Sequence, residues 1–410
     1  MTEPVLPPAL GNYAADERFW DREREVAELA AYLRDGQSML VIGPRRVGKT
    51  SVVRRVLDEL RPSHTVVFID VEQHANPAAM FAALAAEASR EAGFWPRLIG
   101  RLGKRLGVAA DRVGSVDLGV LKVELQAAMA AVWQDDARSV IASLAEGDQP
   151  AVVAVDELPL LVDRVLRDDP AGAEVFLGVL RGMAEEFRNV RWLVSGSIGL
   201  EPVLHRAGLT GTVTHLRSYP IDAWDEPTTA GAAAALGRAA GLDLAGGAAA
   251  AVHQQLGLGV PYHVQLLMDE VRRDAARRAD SAVTADDVAR VYGGPFLSSA
   301  VRAHLLHLES RLDKVLGEGD ALRLARDLLT QAAVADRLTA DDAMLLARDL
   351  VEDGADRPAL LRHVLEILEN DAYLSRDDNG WSYRSRVVRD WWRQTNQLGF
   401  VLAADRSPQP

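Results

Sequence analysis

The sequence predicts an α/β protein: a parallel sheet with helices on both faces, followed by a small helical lid and a C-terminal winged-helix domain. Three observations lead there. Short, continuously apolar runs recur at 38–42, 65–70, 151–156 and 192–195, separated by stretches with helical spacing. A glycine-rich loop joins the first run directly to a helix. Near the end, an Asn379-Gly380 turn separates two strand-like runs.

The first run, Ser38-Met39-Leu40-Val41-Ile42, enters a loop and then a helix beginning near Lys49. Helical spacing follows the second run at 78–88 and precedes the fourth at 175–187. Short apolar strands alternating with helices call for a parallel sheet covered on both sides. Between 96 and 123 a basic stretch, 97–105, and an alternating stretch, 116–123, interrupt this rhythm and read as an insertion.

From 226 to 294 the chain is alanine-rich, and Gly259-Val260-Pro261 starts a helix over 262–277 by placing proline near its first turn. Helices are expected at 321–333, 339–351 and 358–371, then a hairpin around 377–380, where Asn-Gly supplies the tight turn. Three helices and a hairpin outline a winged helix. The expected organisation is an α/β domain at 1–225, a lid at 226–294, a winged helix at 295–401 and a tail at 402–410.

With 410 residues, 48% hydrophobic and 26% charged, the chain has material for two or three cores and is not a disordered polymer. It holds no cysteine, which excludes disulfides, thiolate zinc sites and cysteine nucleophiles. Residues 1–20 carry acids and prolines rather than a basic start and an apolar run, so a cytoplasmic protein without membrane insertion is expected. A net charge of −13 disfavours long-range attraction to phosphate backbones. The nine histidines show no metal-ligand spacing.

The chemistry lies first in Gly43-Pro44-Arg45-Arg46-Val47-Gly48-Lys49-Thr50, which fits G-x-x-x-x-G-K-[ST] between a strand and a helix. In such a P-loop the glycines let backbone N–H groups wrap phosphates, lysine neutralises the β and γ oxygens, and the threonine hydroxyl ligates magnesium. Ser51 extends this cradle into the helix. A phosphate cradle hydrolyses nothing alone. The third apolar run ends in Asp156-Glu157, where Asp156 would hold magnesium and Glu157 would orient and deprotonate water.

The fourth run ends in Ser195-Gly196-Ser197, and Ser195 and Ser197 are equal candidates for contacting the γ-phosphate or the catalytic water. Arg206 and Arg217 follow, either one a candidate arginine finger on the same or an adjacent subunit. The latter arrangement is compatible with a homo-oligomer. No Asn/Thr-Lys-x-Asp guanine motif is evident, which favours ATP, with ADP as product.

Ahead of the loop stands Phe19-Trp20-Asp21-Arg22-Glu23-Arg24-Glu25, and later come Gly259-Val260-Pro261-Tyr262 and the segments 383–386 and 390–393. With the P-loop and Asp156-Glu157, these motifs resemble in order those of the archaeal-type and STAND-related ATPases of the AAA+ superfamily, over nearly the whole chain. The resemblance implies an AAA+ type sheet, an adenine-side role for Arg22 and a nucleotide-reporting lid motif at Pro261. Asp21 stands where that family has glycine. It also implies a closing winged helix at 383–393 and roles in signalling or defence.

The leading expectation is a slow ATPase acting as a switch: ATP binds between the α/β domain and the lid, and the winged helix exposes or hides a surface for a protein partner. One alternative is a DNA-binding AAA+ protein, similar to origin-recognition or transposition helpers, whose winged helix grips duplex through Arg357 and Arg362. Glu366, Glu369 and Asp371 near His363 oppose that reading. The other is a nucleotide-stabilised scaffold with negligible turnover.

Overall fold

The four apolar runs become four strands: β1 Ser38–Ile42, β2 Thr65–Asp70, β3 Ala151–Asp156 and β4 Val190–Ser195. A fifth, β5 Leu216–Pro220, joins them in a parallel sheet of order β2-β3-β4-β1-β5. The computed structural model describes residues 4–10, 13–14, 16–102, 123, 125–127, 129, 132–196, 199–350, 357–371 and 373–406. Most of the expected insertion, the alternating stretch at 116–122, Ser197 and the last residues of the tail lie outside these.

The chain divides into two compact units, Tyr13–Asp222 and Met1–Asn12 with Ala223–Pro410. In the first, β3 is buried at every position, which is why its sequence is continuously apolar rather than alternating. Alternate strand residues serve opposite faces. Leu40, Val67, Ile69, Val153, Val155, Trp192 and Val194 share a core with the helices Pro77–Ala88, Phe94–Leu102, Trp133–Ala145, Leu158–Asp168 and Pro170–Glu186. The helices Glu23–Arg34 and Lys49–Leu60 pack together on the sheet's other side. They bury Val26, Leu29 and Leu33 from one, and Val52, Val53, Val56, Leu57 and Leu60 from the other.

The basic stretch begins within Phe94–Leu102, whose Phe94, Trp95, Leu98 and Leu102 are buried. Arg97 donates to the Ser143 carbonyl at 2.8 Å, and Arg101 pairs with Glu146. These cations therefore tie the helix to Trp133–Ala145.

The second unit starts with the helices Glu226–Ala239, Ala248–Leu256, Pro261–Arg278 and Ala285–Val291, and a short parallel pair, β6 Asp243–Leu244 with β7 Ala282–Val283. Asp225 caps the first helix through the Thr228 N–H, and Thr284 with Asp287 forms a capping box on the fourth. Residues 4–9 belong here: Leu6 N–H donates to the Ala235 carbonyl, and Arg238 to that of Pro4.

Gly294, with φ −104 and ψ −106, and Pro295 then break a π-helical segment, Tyr292–Ala300. Beyond it lie Arg302–Leu316, Asp320–Val334, Ala340–Leu350 and Arg357–Asn370. The antiparallel hairpin of β8 Leu374–Asp377 and β9 Gly380–Tyr383 and the helix Arg386–Asn396 complete the unit. Within it, Tyr292 donates to Asp390 at 2.9 Å and Arg386 to the Gln254 carbonyl at 2.7 Å, so the early and late helices are bonded together. No helix among the described residues is long and apolar enough to cross a membrane.

Candidate active site

Parallel strands bring their carboxyl ends to one edge, the usual place for ligand chemistry in such sheets. Register places Val41 beside Ser195, and Asp70 beside Asp156. The loop 43–48 leaves β1 at that edge.

Two glycines shape the loop for different reasons. Gly43 has φ 151, and a Cβ there would lie 2.2 Å from the Ile221 carbonyl oxygen, so the approach to the chain after β5 admits no side chain. Gly48 has φ 97 with open space around it and supplies only the left-handed backbone that starts the helix Lys49–Leu60. Arg46 also takes a left-handed conformation, at φ 62. Val47, 1% exposed, anchors the loop in the core.

Lys49 is buried, and its ammonium donates to the carbonyls of Gly43 and Pro44 at 2.8 and 2.7 Å. Burial lowers its pKa from 10.5 to about 8, opposed by the nearby charges of Glu157 and Asp156 and aided by that of Arg45. Next to it, the Thr50 hydroxyl donates to Asp156 Oδ2 at 2.5 Å. Asp156 Oδ1 accepts from Ser195 Oγ at 2.6 Å and from the Glu157 N–H at 3.1 Å.

Glu157 follows in a left-handed conformation, φ 62, as the residue before the helix Leu158–Asp168. That bend turns the chain off the end of the strand and presents consecutive acids differently: Asp156 is buried, while Glu157 is partly exposed. Lys49, Thr50, Asp156, Glu157 and Ser195 thus meet at one edge, from the ends of β3 and β4 and the helix after the loop.

Other predicted residues lie around this centre. Ser51 Oγ accepts from the Ala14 N–H at 2.9 Å, fixing the segment that precedes the first helix. Arg22 is buried and donates to Glu25 at 2.7 Å and to the Asp222 carbonyl at 2.6 Å. Asp21 adopts φ 47, the left-handed turn a glycine would take without strain and one that aspartate tolerates better than most residues.

Arg206 closes the helix Leu200–Arg206. Arg217 lies at the amino end of β5, away from the P-loop edge, where it donates to Gln37 and covers the Tyr32 ring at 4.2 Å. Pro261 begins its helix in the second unit. The glycine before that helix is sterically required: a Cβ on Gly259 would lie 2.1 Å from Thr229 Oγ1 and 2.4 Å from the Trp224 carbonyl oxygen.

Sequence reading missed the bond between Ser195 and Asp156. Its signal was the pair of polar residues ending two apolar runs, but the order of strands in the sheet was needed to make them neighbours.

Comparison with known proteins bears on the fold that carries this site. Residues 18–193 match the family model of the AAA ATPase domain. A Walker-type ATPase of Pyrococcus abyssi superposes with a TM-score of 0.62 at 17% identity, covering 94% of this chain and 99% of its own. The ORC2 protein of Aeropyrum pernix, in its ADPNP–ADP complexes, gives 0.57 at 12% identity, covering 94% and 98%. No curated protein matches the chain. Residues 18–193 thus match an AAA ATPase domain, and the chain has the AAA+ P-loop fold.

Proposed function

We propose that this chain binds and slowly hydrolyses ATP with magnesium, and that nucleotide state governs how its second unit engages a protein partner. One observation carries the hydrolytic part: a lysine bonded to loop carbonyls, a threonine hydroxyl and a carboxylate converge where the loop meets the end of β3.

These residues fit the ligands proposed. The ammonium of Lys49 has carbonyl partners that it can exchange for phosphate oxygens, which are stronger acceptors. Thr50 and Asp156 offer the hard oxygen donors that magnesium takes, with phosphates and water completing the set. Bound magnesium would supply charge neutralisation at the β- and γ-phosphate oxygens. Glu157 would accept a proton from the attacking water and aim it at the γ-phosphorus. Backbone N–H groups of the loop and the amino end of Lys49–Leu60 would hold the phosphates. Ser197 at the γ-phosphate and Arg206 as a finger belong to the same proposal.

The second unit supports a protein partner better than duplex DNA. We read its first helices as the lid, and Asp320–Val334, Ala340–Leu350 and Arg357–Asn370 with the hairpin as a winged helix. Three arginines near the hairpin are engaged by carboxylates: Arg337 with Asp377, Arg389 with Asp336 and Asp390, Arg393 with Asp336. Cations already paired gain less from phosphate.

The switch is tested by hydrogen exchange of the Glu157→Gln variant with ATP, beside wild-type protein with ADP. A nucleotide shifts a conformational equilibrium only through differential affinity for the two states. Protection differing over residues 223–396 supports the switch, whereas identical protection leaves a nucleotide-stabilised scaffold.

A further inference from the structure

Ser195 is fully buried at the last position of β4. Its Oγ lies 2.6 Å from Asp156 Oδ1, a charge-assisted contact that uses the only proton the hydroxyl has. The same carboxylate oxygen takes the Glu157 N–H at 3.1 Å, while the other, Oδ2, takes the Thr50 hydroxyl at 2.5 Å. The two oxygens therefore have different work. Oδ1 is held by donors from β4 and from the start of the next helix, and Oδ2 is turned toward the residue that follows the P-loop lysine.

We propose that Ser195 is a positioning residue for magnesium: it locks the Asp156 carboxylate so that Oδ2, rather than Oδ1, serves the metal's ligand shell beside Thr50. This rests on the proposal that Thr50 and Asp156 hold magnesium. It assigns Ser195 a task other than touching phosphate or water. Partners that orient a metal's carboxylate ligand govern affinity because a ligand free to rotate must be ordered each time the metal binds. The bond also couples β4 to β3 at the site, so a shift at the end of β4 reaches the metal through one hydrogen bond.

A merely structural role makes a different prediction. A bond that only satisfied a buried polar pair would, when cut, lower stability and weaken nucleotide binding equally with and without metal. The discriminating measurement is the affinity of a fluorescent ATP analogue, titrated with magnesium and in EDTA, for wild type, Ser195→Ala and Ser195→Cys. In Ser195→Ala the magnesium concentration giving half-maximal binding should rise about tenfold, with affinity in EDTA within about twofold of wild type. Ser195→Cys, with a weaker donor of similar volume, should fall between.

An unchanged magnesium requirement in Ser195→Ala, or losses equal in EDTA and magnesium, overturns the proposal. Should Ser195→Ala fail to fold, Ser195→Cys decides by the same split, and an unchanged requirement there overturns it equally. Failure of the underlying reading would look different: wild-type protein would bind the analogue no better than Lys49→Ala does.

Discussion

Thr50 and Asp156 are 106 residues apart in sequence, and the hydroxyl of one donates to the carboxylate of the other at 2.5 Å. That contact joins the P-loop to the acidic strand end. It sets side by side the oxygens that would take magnesium.

The two loop glycines should differ in their tolerance of alanine. At Gly43 the new Cβ meets a backbone carbonyl at 2.2 Å, and that backbone is held by the Ile221 N–H donating to the Ile42 carbonyl at 2.7 Å. Gly43→Ala should cost about 3 kcal/mol. Gly48→Ala meets no atom within 4 Å, leaving only the left-handed backbone, at about 1–2 kcal/mol. Urea unfolding of both variants checks this, and equal losses would contradict it.

Lys49 gives the site a pH signature. Its pKa of about 8 lies below the 10.5 of the unfolded chain, so between those values the unfolded state holds more protons and stability rises with pH. The buried charge costs stability below about 8, and that cost is relieved as the amine loses its proton. Phosphate binding needs the charged form. ATP binding at pH 9 should therefore take up a proton, while at pH 6.5 Lys49 already carries it. Calorimetry in buffers of different ionisation enthalpy reads the difference, and Lys49→Ala should abolish the binding. Equal proton uptake at both pH values would refute this account of Lys49.

Arg22 links the first helix to the chain beyond β5. Arg22→Ala removes donors from the Asp222 carbonyl and from Glu25, and should destabilise the first unit by about 2–3 kcal/mol. Arg22→Lys keeps the charge but not the fork that spans both acceptors, so it should recover only part of this. Thermal unfolding close to wild type in Arg22→Ala would show that these bonds carry no stability.

The strands and the P-loop were legible because their signals are local. A strand buried on both faces must be apolar throughout, as β3 is, and the loop motif is a contiguous string. The edge strand β5 was not legible: Leu216 and Tyr219 are only partly buried, and Arg217, Ser218 and Pro220 are exposed, so no apolar run marks it. The helix Glu23–Arg34 buries its residues at 26, 29, 30 and 33, a regular helical stripe, but Ala27, Ala31 and Tyr32 between them blur that stripe in the sequence. The Ser195–Asp156 bond depends on β3 and β4 being adjacent, which no local pattern states.

In the second unit, Asp274 is bonded by both Arg290 and Arg278, and the Arg290 bond is the main cause holding its pKa at about 2. Its folded value lies below the unfolded 3.8, so the stability it contributes is present above 3.8 and is lost as pH falls through about 2. Asp274→Asn should flatten the acid limb of unfolding in that range, and an unchanged limb would contradict the assignment.

The central claim is that residues 43–50 and Asp156-Glu157 form one hydrolytic site. Phosphate release from ATP and magnesium, measured for wild type beside Lys49→Ala and Glu157→Gln, tests it most directly. Wild-type turnover should disappear in Lys49→Ala together with ATP binding. In Glu157→Gln it should fall at least about a hundredfold while binding persists. Turnover that survives Glu157→Gln at the wild-type rate would contradict the claim.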